Sequence, residues 1–171
     1  MNPDEWEILE IAGAFHFTFS LVPIQWHDSQ PKPVQAARDE HGCVTQEWWQ
    51  NHQPAISIRD YCDDYLIRSD DWPWHFTLID TVWADENHHR VELWEREHNV
   101  VAYLYIRIDA RYPYVDFLAW IVDLANQSKC MFYLEHESDF VESTSIAIFE
   151  ALNRSPAAAL EKRRFDRPKN Q

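Results

Sequence analysis

Hydrophobic and polar residues alternate along the first stretch of the chain, between Trp6 and Val22. The apolar positions are Phe15, Phe17, Phe19 and Leu21, and the polar positions between them are His16, Thr18 and Ser20. Successive side chains of a β-strand point to opposite faces of the sheet, so this alternation predicts a half-buried strand. A bulge is expected at Gly13.

The same alternation returns in three consecutive segments in the middle of the chain. They cover residues 74–83, 90–97 and 100–109, and short polar turns separate them. Strands joined by short turns pair antiparallel, so the segment 74–109 is predicted to form a meander. If residue 83 pairs with residue 90, residue 75 lies opposite residue 98.

The hydrophobic period changes in the last third of the chain. Residues 114–127 carry apolar side chains at helical spacing, residues 130–134 form a short apolar strand, and a helix is expected at 143–153. Ser155 and Pro156 are a serine N-cap and a first-turn proline, which predict one more helix. A short helix from Thr45 to His52 is predicted as well, with Thr45 as its N-cap, and residues 56–67 fit either a helix or a strand.

These elements define an α+β fold. It consists of a mostly antiparallel sheet, made of the meander and the N-terminal strand, with helices packed on one face and a C-terminal helix pair. We expect a single domain, residues 1–171, with a short basic tail at about 161–171. The chain has 46% hydrophobic and 15% aromatic residues, which is enough for a core and excludes intrinsic disorder.

Glycine is nearly absent, and this excludes several classes of enzyme. The chain contains two glycines, Gly13 and Gly42. Loops that cradle phosphate groups need several glycines, as does the nucleophile elbow of hydrolases. We therefore expect no nucleotide cofactor and no enzyme of these types.

Negative charge dominates the chain outside its last eleven residues. The net charge is −14, yet residues 161–171 carry +3, which leaves −17 on the first 160 residues. Such a field repels nucleic acid and anionic lipid, and it favours a basic partner. The alternative is that the charge serves solubility alone.

Cysteine usage and the N-terminal residues bear on the cellular compartment. Three cysteines without CxxC spacing suggest neither a disulfide framework nor a cysteine zinc site. The acidic N-terminus differs from a signal peptide. The longest uncharged stretch near it, Ile11–His27, contains polar residues and is not a membrane span. The sequence thus predicts a cytoplasmic protein with no membrane contact.

One segment interleaves carboxylates with aromatic side chains, a composition typical of protein interfaces. Trp120 adds to it, because a helical wheel places this tryptophan on an acidic helix face. The predicted partner-binding residues are Asp63, Asp64, Asp70, Asp71, Trp72 and Trp120. The alternatives are a solvated acidic loop and a Trp120 packed under a neighbouring element.

Nine histidines raise the possibility of a metal or acid–base site. The meander register given above would bring His75, Glu97 and His98 to one end of the sheet. A small metal-dependent or general acid–base enzyme is therefore the alternative function. Glu97 and His98 are adjacent, however, and adjacent strand residues point to opposite faces. The preferred interpretation has no catalytic residue, no metal and no cofactor.

The run Ala151-Leu152-Asn153-Arg154-Ser155-Pro156-Ala157-Ala158, in an acidic, tryptophan-rich and glycine-poor α+β chain, resembles the immunity proteins of bacterial polymorphic toxins. Toxins of this kind are delivered by type VI secretion or contact-dependent inhibition. The resemblance covers about the last 30 residues and the general architecture. It implies a stoichiometric inhibitor that covers the active site of a cognate toxin domain, and it assigns no catalytic residues.

Overall fold

The computed structural model describes residues 14–68, 79–97 and 100–165. The strands are β1 (His16–Pro23), β2 (Ile67–Arg68), β3 (Ile79–Ala84), β4 (Arg90–Arg96), β5 (Val100–Asp109), β6 (Cys130–Leu134) and β7 (Asp139–Val141). The α-helices are α1 (Ile24–Ser29), α2 (Ile58–Asp63), α3 (Val115–Gln127), α4 (Ser145–Arg154) and α5 (Pro156–Phe165). A 3-10 helix covers Glu47–Trp49.

The described strands form one seven-stranded sheet in the order β2-β3-β4-β5-β1-β6-β7. Every neighbouring pair is antiparallel, and β5 and β6 have the bounds that alternation predicted. The helices α4 and α5 are consecutive and form the C-terminal pair. The predicted α+β class, the meander with the N-terminal strand and the C-terminal helix pair are therefore confirmed.

The register within the meander differs by one residue from the expected one. Trp83 pairs with Val91, and Ala84 pairs with Arg90. The turn between β3 and β4 is tighter than expected because the Asp85 side chain accepts hydrogen bonds from the backbone N–H groups of Asn87 and His89. A bulge between Trp94 and Glu95 shifts the register again toward β5.

One face of the sheet is covered by helices and holds most of the core. Phe17, Phe19 and Leu21 of β1 lie on this face and are almost fully buried, as alternation predicted. The buried side of α3 packs against them and includes Phe117 and Ile121. Ser155 caps α5 as expected, because its Oγ accepts a hydrogen bond from the Ala158 N–H at 3.2 Å.

The other face is partly covered by the segment between β1 and α2. Trp48 is buried there against the rings of Trp26 and Tyr133, at centroid distances of 5.5 and 6.0 Å. The helix predicted from Thr45 to His52 is wrong in extent and in cap. Only Glu47–Trp49 is helical, and Gln46 stands at the N-cap position.

Gln46 explains the short helix, because its side chain completes the backbone pairing of β5. Strand β1 pairs with β5 up to Ser20 and then continues beside β6 alone. Beyond that point Gln46 takes the place of β1. Its Nε2 donates to the Leu104 carbonyl at 3.1 Å, and its Oε1 accepts from the Leu104 N–H at 2.8 Å.

Gln53 repeats this arrangement further along β5. Its Oε1 accepts from the Val101 N–H at 2.7 Å, and its Nε2 donates to the Val101 carbonyl at 3.2 Å. Two side-chain amides thus supply the hydrogen bonds that a strand would supply.

Among the helices of the described ranges, none has the length and apolarity that a bilayer crossing requires.

Replacing Gln46 with alanine should strongly destabilise the fold. The change leaves the Leu104 N–H, the Leu104 carbonyl and the Trp49 indole N–H without partners in the interior. We expect the free energy of unfolding to fall by about 3 kcal/mol or more in urea denaturation. The exposed Gln50 is the matched control, and Gln50→Ala should change the free energy of unfolding by less than about 0.5 kcal/mol. Equal effects of the two variants would contradict this role.

Candidate protein-binding surface

The acidic residues predicted for partner binding begin on α2. Ser57 starts this helix, since its Oγ accepts a hydrogen bond from the Asp60 N–H at 3.2 Å. Ile58 and Cys62 are buried and fix the helix to the sheet. Because Ile58 and Cys62 are one helical turn apart, they share the buried side of α2. The rest of the helix faces outward, and Asp63 and Asp64 lie at the surface.

Asp63 is engaged in contacts that stabilise the fold. Arg68 binds both of its carboxylate oxygens, with an Nε–Oδ1 distance of 2.7 Å. The indole N–H of Trp83, a fully buried residue of β3, donates to Oδ1 at 2.8 Å. The hydrogen bonds from Arg68 and then from Trp83 lower the pKa of Asp63 from 3.8 to about 2. Asp63 therefore connects the end of α2 to strands β2 and β3.

The other members of the predicted segment differ from Asp63. Asp64 is exposed at the C-terminal end of α2, and its carboxylate has no hydrogen-bond or ion-pair partner in the described part of the chain. Asp70, Asp71 and Trp72 lie outside the described residues. The structure therefore leaves the predicted binding role of these four residues as a prediction.

Trp120 is packed under a neighbouring element, one of the two alternatives that the sequence left open. Its ring stacks on Tyr61 of α2 at a centroid distance of 5.3 Å, and it contacts Tyr65 at 5.9 Å and Phe117 at 5.7 Å. The indole nitrogen is enclosed and has no hydrogen-bond partner among the described residues. These contacts favour a role in folding for Trp120 and leave Tyr65, with 66% of its surface exposed, as the accessible ring.

The outward side of α3 continues this surface. Asp116, Ala119 and Asp123 are exposed one turn apart along the helix. Asp123 accepts a hydrogen bond from the Tyr61 hydroxyl at 2.6 Å, which joins α3 to α2. Burial and this hydrogen bond raise the pKa of Tyr61 above its usual value, so the phenol stays protonated. Asp116 has no cationic partner within ion-pair distance in the described ranges.

An exposed apolar patch lies where α3 meets α4. Val115 is 66% exposed, Ile146 is 72% exposed and Phe149 is 43% exposed. With Leu118 and Ala119 these side chains line a shallow cavity of about 250 Å³. Contiguous exposed apolar side chains with a polar rim mark interaction sites in soluble proteins.

We call a set of exposed residues directly after α2 and on α3 and α4 the outer helix surface. It consists of Asp64, Tyr65, Ile67, Val115, Asp116, Ala119, Asp123, Ile146, Phe149 and Glu150. The apolar members were not predicted from the sequence. A signal was present, because Ile146 and Phe149 lie on the α4 turns outside the buried stripe of Ile148, Ala151 and Leu152. That excess of apolar residues indicates a second apolar side of the helix.

The residues of the alternative metal or acid–base site are largely outside the described ranges. His75 and His98 are not described, and Glu97 is exposed after β4. The observed register is offset by one residue from the one that placed these residues together. In the described ranges, no group of three or more potential metal ligands is found.

Asp63 and Asp64 form a matched pair for testing which carboxylate stabilises the fold. Asp63→Ala leaves the buried Trp83 N–H without its acceptor, so the free energy of unfolding should fall by about 1–2 kcal/mol. Asp64→Ala should change it by less than about 0.5 kcal/mol. Because the pKa of Asp63 is lowered on folding, its contribution is present above about pH 4 and is lost as the pH falls through about 2. Urea denaturation between pH 2 and 7 measures both effects, and a fully stable Asp63→Ala variant would contradict them.

Trp120 and Tyr65 can be compared in the same way. Trp120→Ala removes a ring that contacts three others, and we expect a loss of about 2–3 kcal/mol in the free energy of unfolding. Tyr65→Ala removes a mostly exposed ring, and its cost should stay below about 1 kcal/mol. Thermal and urea denaturation measure both. If Trp120→Ala is as stable as the unmodified protein, Trp120 serves binding more than folding, as the sequence alone suggested.

Comparison with known proteins adds no assignment to this surface. The chain matches no protein-family model, no curated protein and no solved structure. The function must therefore be argued from the surface itself, that is, from its exposed apolar side chains, its carboxylates and the contacts beneath them.

Proposed function

We propose that this protein is a cytoplasmic immunity protein, which binds one cognate bacterial toxin domain stoichiometrically and thereby neutralises it. The observation that carries the proposal is the outer helix surface. There, exposed apolar side chains such as Ile146 and Tyr65 stand among carboxylates. A desolvated apolar centre with a charged rim is the usual anatomy of a specific protein interface.

The charge of this surface indicates the chemistry of the partner. Asp64, Asp116, Asp123 and Glu150 are exposed, whereas the exposed arginines Arg68 and Arg154 each bind a carboxylate, that of Asp63 and that of Glu137. A basic toxin domain is complementary to such a surface. Charge complementarity speeds the encounter of the two proteins, and the buried apolar contacts slow their dissociation. A toxin that acts on nucleic acid needs basic side chains to bind phosphate groups, so such a toxin fits this requirement.

Rigidity of the surface also supports inhibition by simple coverage. The Tyr61–Trp120 stack and the Tyr61–Asp123 hydrogen bond hold α2 against α3 before any partner arrives. An inhibitor whose surface is already formed loses little conformational freedom on binding. The resemblance to immunity proteins through Ser155, Pro156 and their neighbours agrees with this mode of action. An adaptor protein would use the same surface, and it differs in having a harmless partner.

The test begins with the product of the neighbouring gene, expressed as a toxin domain. We expect a complex of one molecule of each protein and protection of cells from the toxin. Ile146→Asp and Val115→Asp should each weaken binding at least thirtyfold, about 2 kcal/mol, and leave the melting temperature within a few degrees of the unmodified protein. A charged side chain in a desolvated apolar centre loses its hydration without gaining a partner.

Ile24 provides the matched control. It is an exposed isoleucine of α1, with 41% of its surface accessible, and it lies beyond the C-terminal end of α3. Ile24→Asp should bind the toxin as tightly as the unmodified protein does. Raising the salt concentration should slow association more than dissociation. If all three variants bind equally, the outer helix surface is not the interface. If the neighbouring product is a metabolic enzyme and no complex forms, the immunity assignment fails.

A further inference from the structure

The sheet face opposite the helices carries a second group of functional side chains, beyond the part that Trp26 and Trp48 cover. These side chains come from the three central strands β4, β5 and β1. They are His16, Thr18, Arg90, Glu92, Trp94, Tyr103, Tyr105 and Arg107. All eight are half-buried. We call this area the open sheet face.

Two arginines are direct neighbours on the open sheet face. Arg90 of β4 and Arg107 of β5 are partners in the antiparallel ladder. Like charges directly opposite each other destabilise a sheet. A chain with a net charge of −14 could fill these positions with many other residues, so the pair calls for an explanation beyond folding.

In the part of the chain that the structure describes, the guanidinium of Arg107 forms no hydrogen bond or ion pair, and its Nε is enclosed. Burial and the nearby Arg90 lower the pKa of Arg107. A desolvated guanidinium without an acceptor is costly, and a bound oxyanion would remove that cost.

Other charged groups near Arg107 only partly compensate for it. Glu92 and Asp109 attract Arg107 through space. Asp109, however, is bound through both oxygens by Arg111, with an Nε–Oδ1 distance of 2.9 Å. Glu135, directly after β6, accepts a hydrogen bond from Thr18 at 3.4 Å, and burial raises its pKa. In the described ranges, none of these three carboxylates forms a hydrogen bond or an ion pair with the Arg107 guanidinium.

Burial and the nearby arginines together lower the pKa of His16. Burial, followed by the charge of Arg107, lowers its pKa from 6.5 to about 4, and Arg111 and Arg90 act in the same direction. The imidazole is neutral at physiological pH although the Asp109 carboxylate lies 3.8 Å away. The arginines thus outweigh a neighbouring carboxylate at this point of the sheet.

Aromatic rings continue from Arg107 along β5 and β4. Tyr105 is two residues from Arg107 on the same face, and its ring is nearly parallel to that of Tyr103, with centroids 6.2 Å apart. Trp94 meets Tyr103 edge to face at 5.5 Å. A half-buried row of rings next to a pair of guanidinium groups offers a stacking platform beside an anion site.

We propose that the open sheet face binds a small molecule in which a phosphate or carboxylate group is attached to a flat ring. Arg107 and Arg90 bind the oxyanion, and the ring lies against Tyr105 and its neighbours. The site does not depend on the proposed function, since it lies on the sheet face opposite the outer helix surface. The acidic character of the rest of the chain disfavours a long polyanion as the ligand.

Titration of the full chain with phenyl phosphate, inorganic phosphate and benzoate tests the site. We expect saturable binding of phenyl phosphate by calorimetry, at least threefold tighter than that of inorganic phosphate because of the ring. Benzoate identifies a carboxylate ligand if it binds more tightly than phenyl phosphate. Arg107→Gln should weaken the binding at least tenfold. Arg154→Gln is the control and should not change it, because Arg154 pairs with Glu137 on the helix side.

The pKa of His16 gives a second measurement. Phenyl phosphate should not change it if Arg107 has only a structural role. The pKa of His16, followed by NMR, should rise from about 4 toward 6.5 when phenyl phosphate binds. If Arg107→Gln does not fold, Arg107→Lys replaces it in the test. Lysine keeps the charge but loses the planar fork, so this variant should weaken the binding of phenyl phosphate less than the tenfold expected for Arg107→Gln. The proposal is overturned if none of the three probes binds saturably. The proposal is also overturned if both Arg107 variants bind phenyl phosphate as tightly as the unmodified protein does. This includes the case in which those variants lose only their binding to the toxin.

Discussion

The fold depends on one strand, β1, which changes partner along its length. Its first half pairs with β5, and its second half pairs with β6 alone. The change leaves part of β5 without a neighbour in the middle of a sheet, where unpaired backbone groups are costly. Gln46 and Gln53 supply the missing donors and acceptors at Leu104 and Val101. The segment that carries them is held over the sheet for this reason, and Trp48 is buried beneath it.

This arrangement makes the two faces of the sheet different. One face is covered by the helices, so a partner on that side meets α2, α3 and α4 and the carboxylates between them. Among the described residues, the Gln46 segment and Trp26 cover only part of the other face. Polar side chains of β4, β5 and β1, such as Arg107 and Tyr105, therefore stay within reach of solvent. Two chemically distinct surfaces follow from a single change of strand pairing.

Most of the fold could be predicted from the sequence because the buried side of a strand or helix is apolar. The spacing of the apolar residues therefore follows the repeat of that element. Strands β5 and β6 and the helix α3 illustrate this, whereas α5 was predicted from its serine N-cap and first-turn proline. The Gln46 segment could not be predicted, because a glutamine that pairs with a backbone looks like any polar residue. The contacts of Asp63 and Trp120 were missed for a related reason. Their partners Trp83 and Tyr61 are distant in sequence, and composition does not show which of several acids meets a buried N–H.

The paired arginines are hidden in the sequence by the same alternation that predicts their strands. Arg90 and Arg107 each occupy a polar position, and only the register shows that they are opposite each other. Their repulsion is tolerable in this chain because the surrounding negative charge offsets part of it. Screening at physiological salt acts over about 8 Å, so a small anion close to the arginines experiences them more than the rest of the chain. A polyanion extends beyond that distance and meets the acidic surroundings, so the same charges that stabilise the pair also restrict what it can bind.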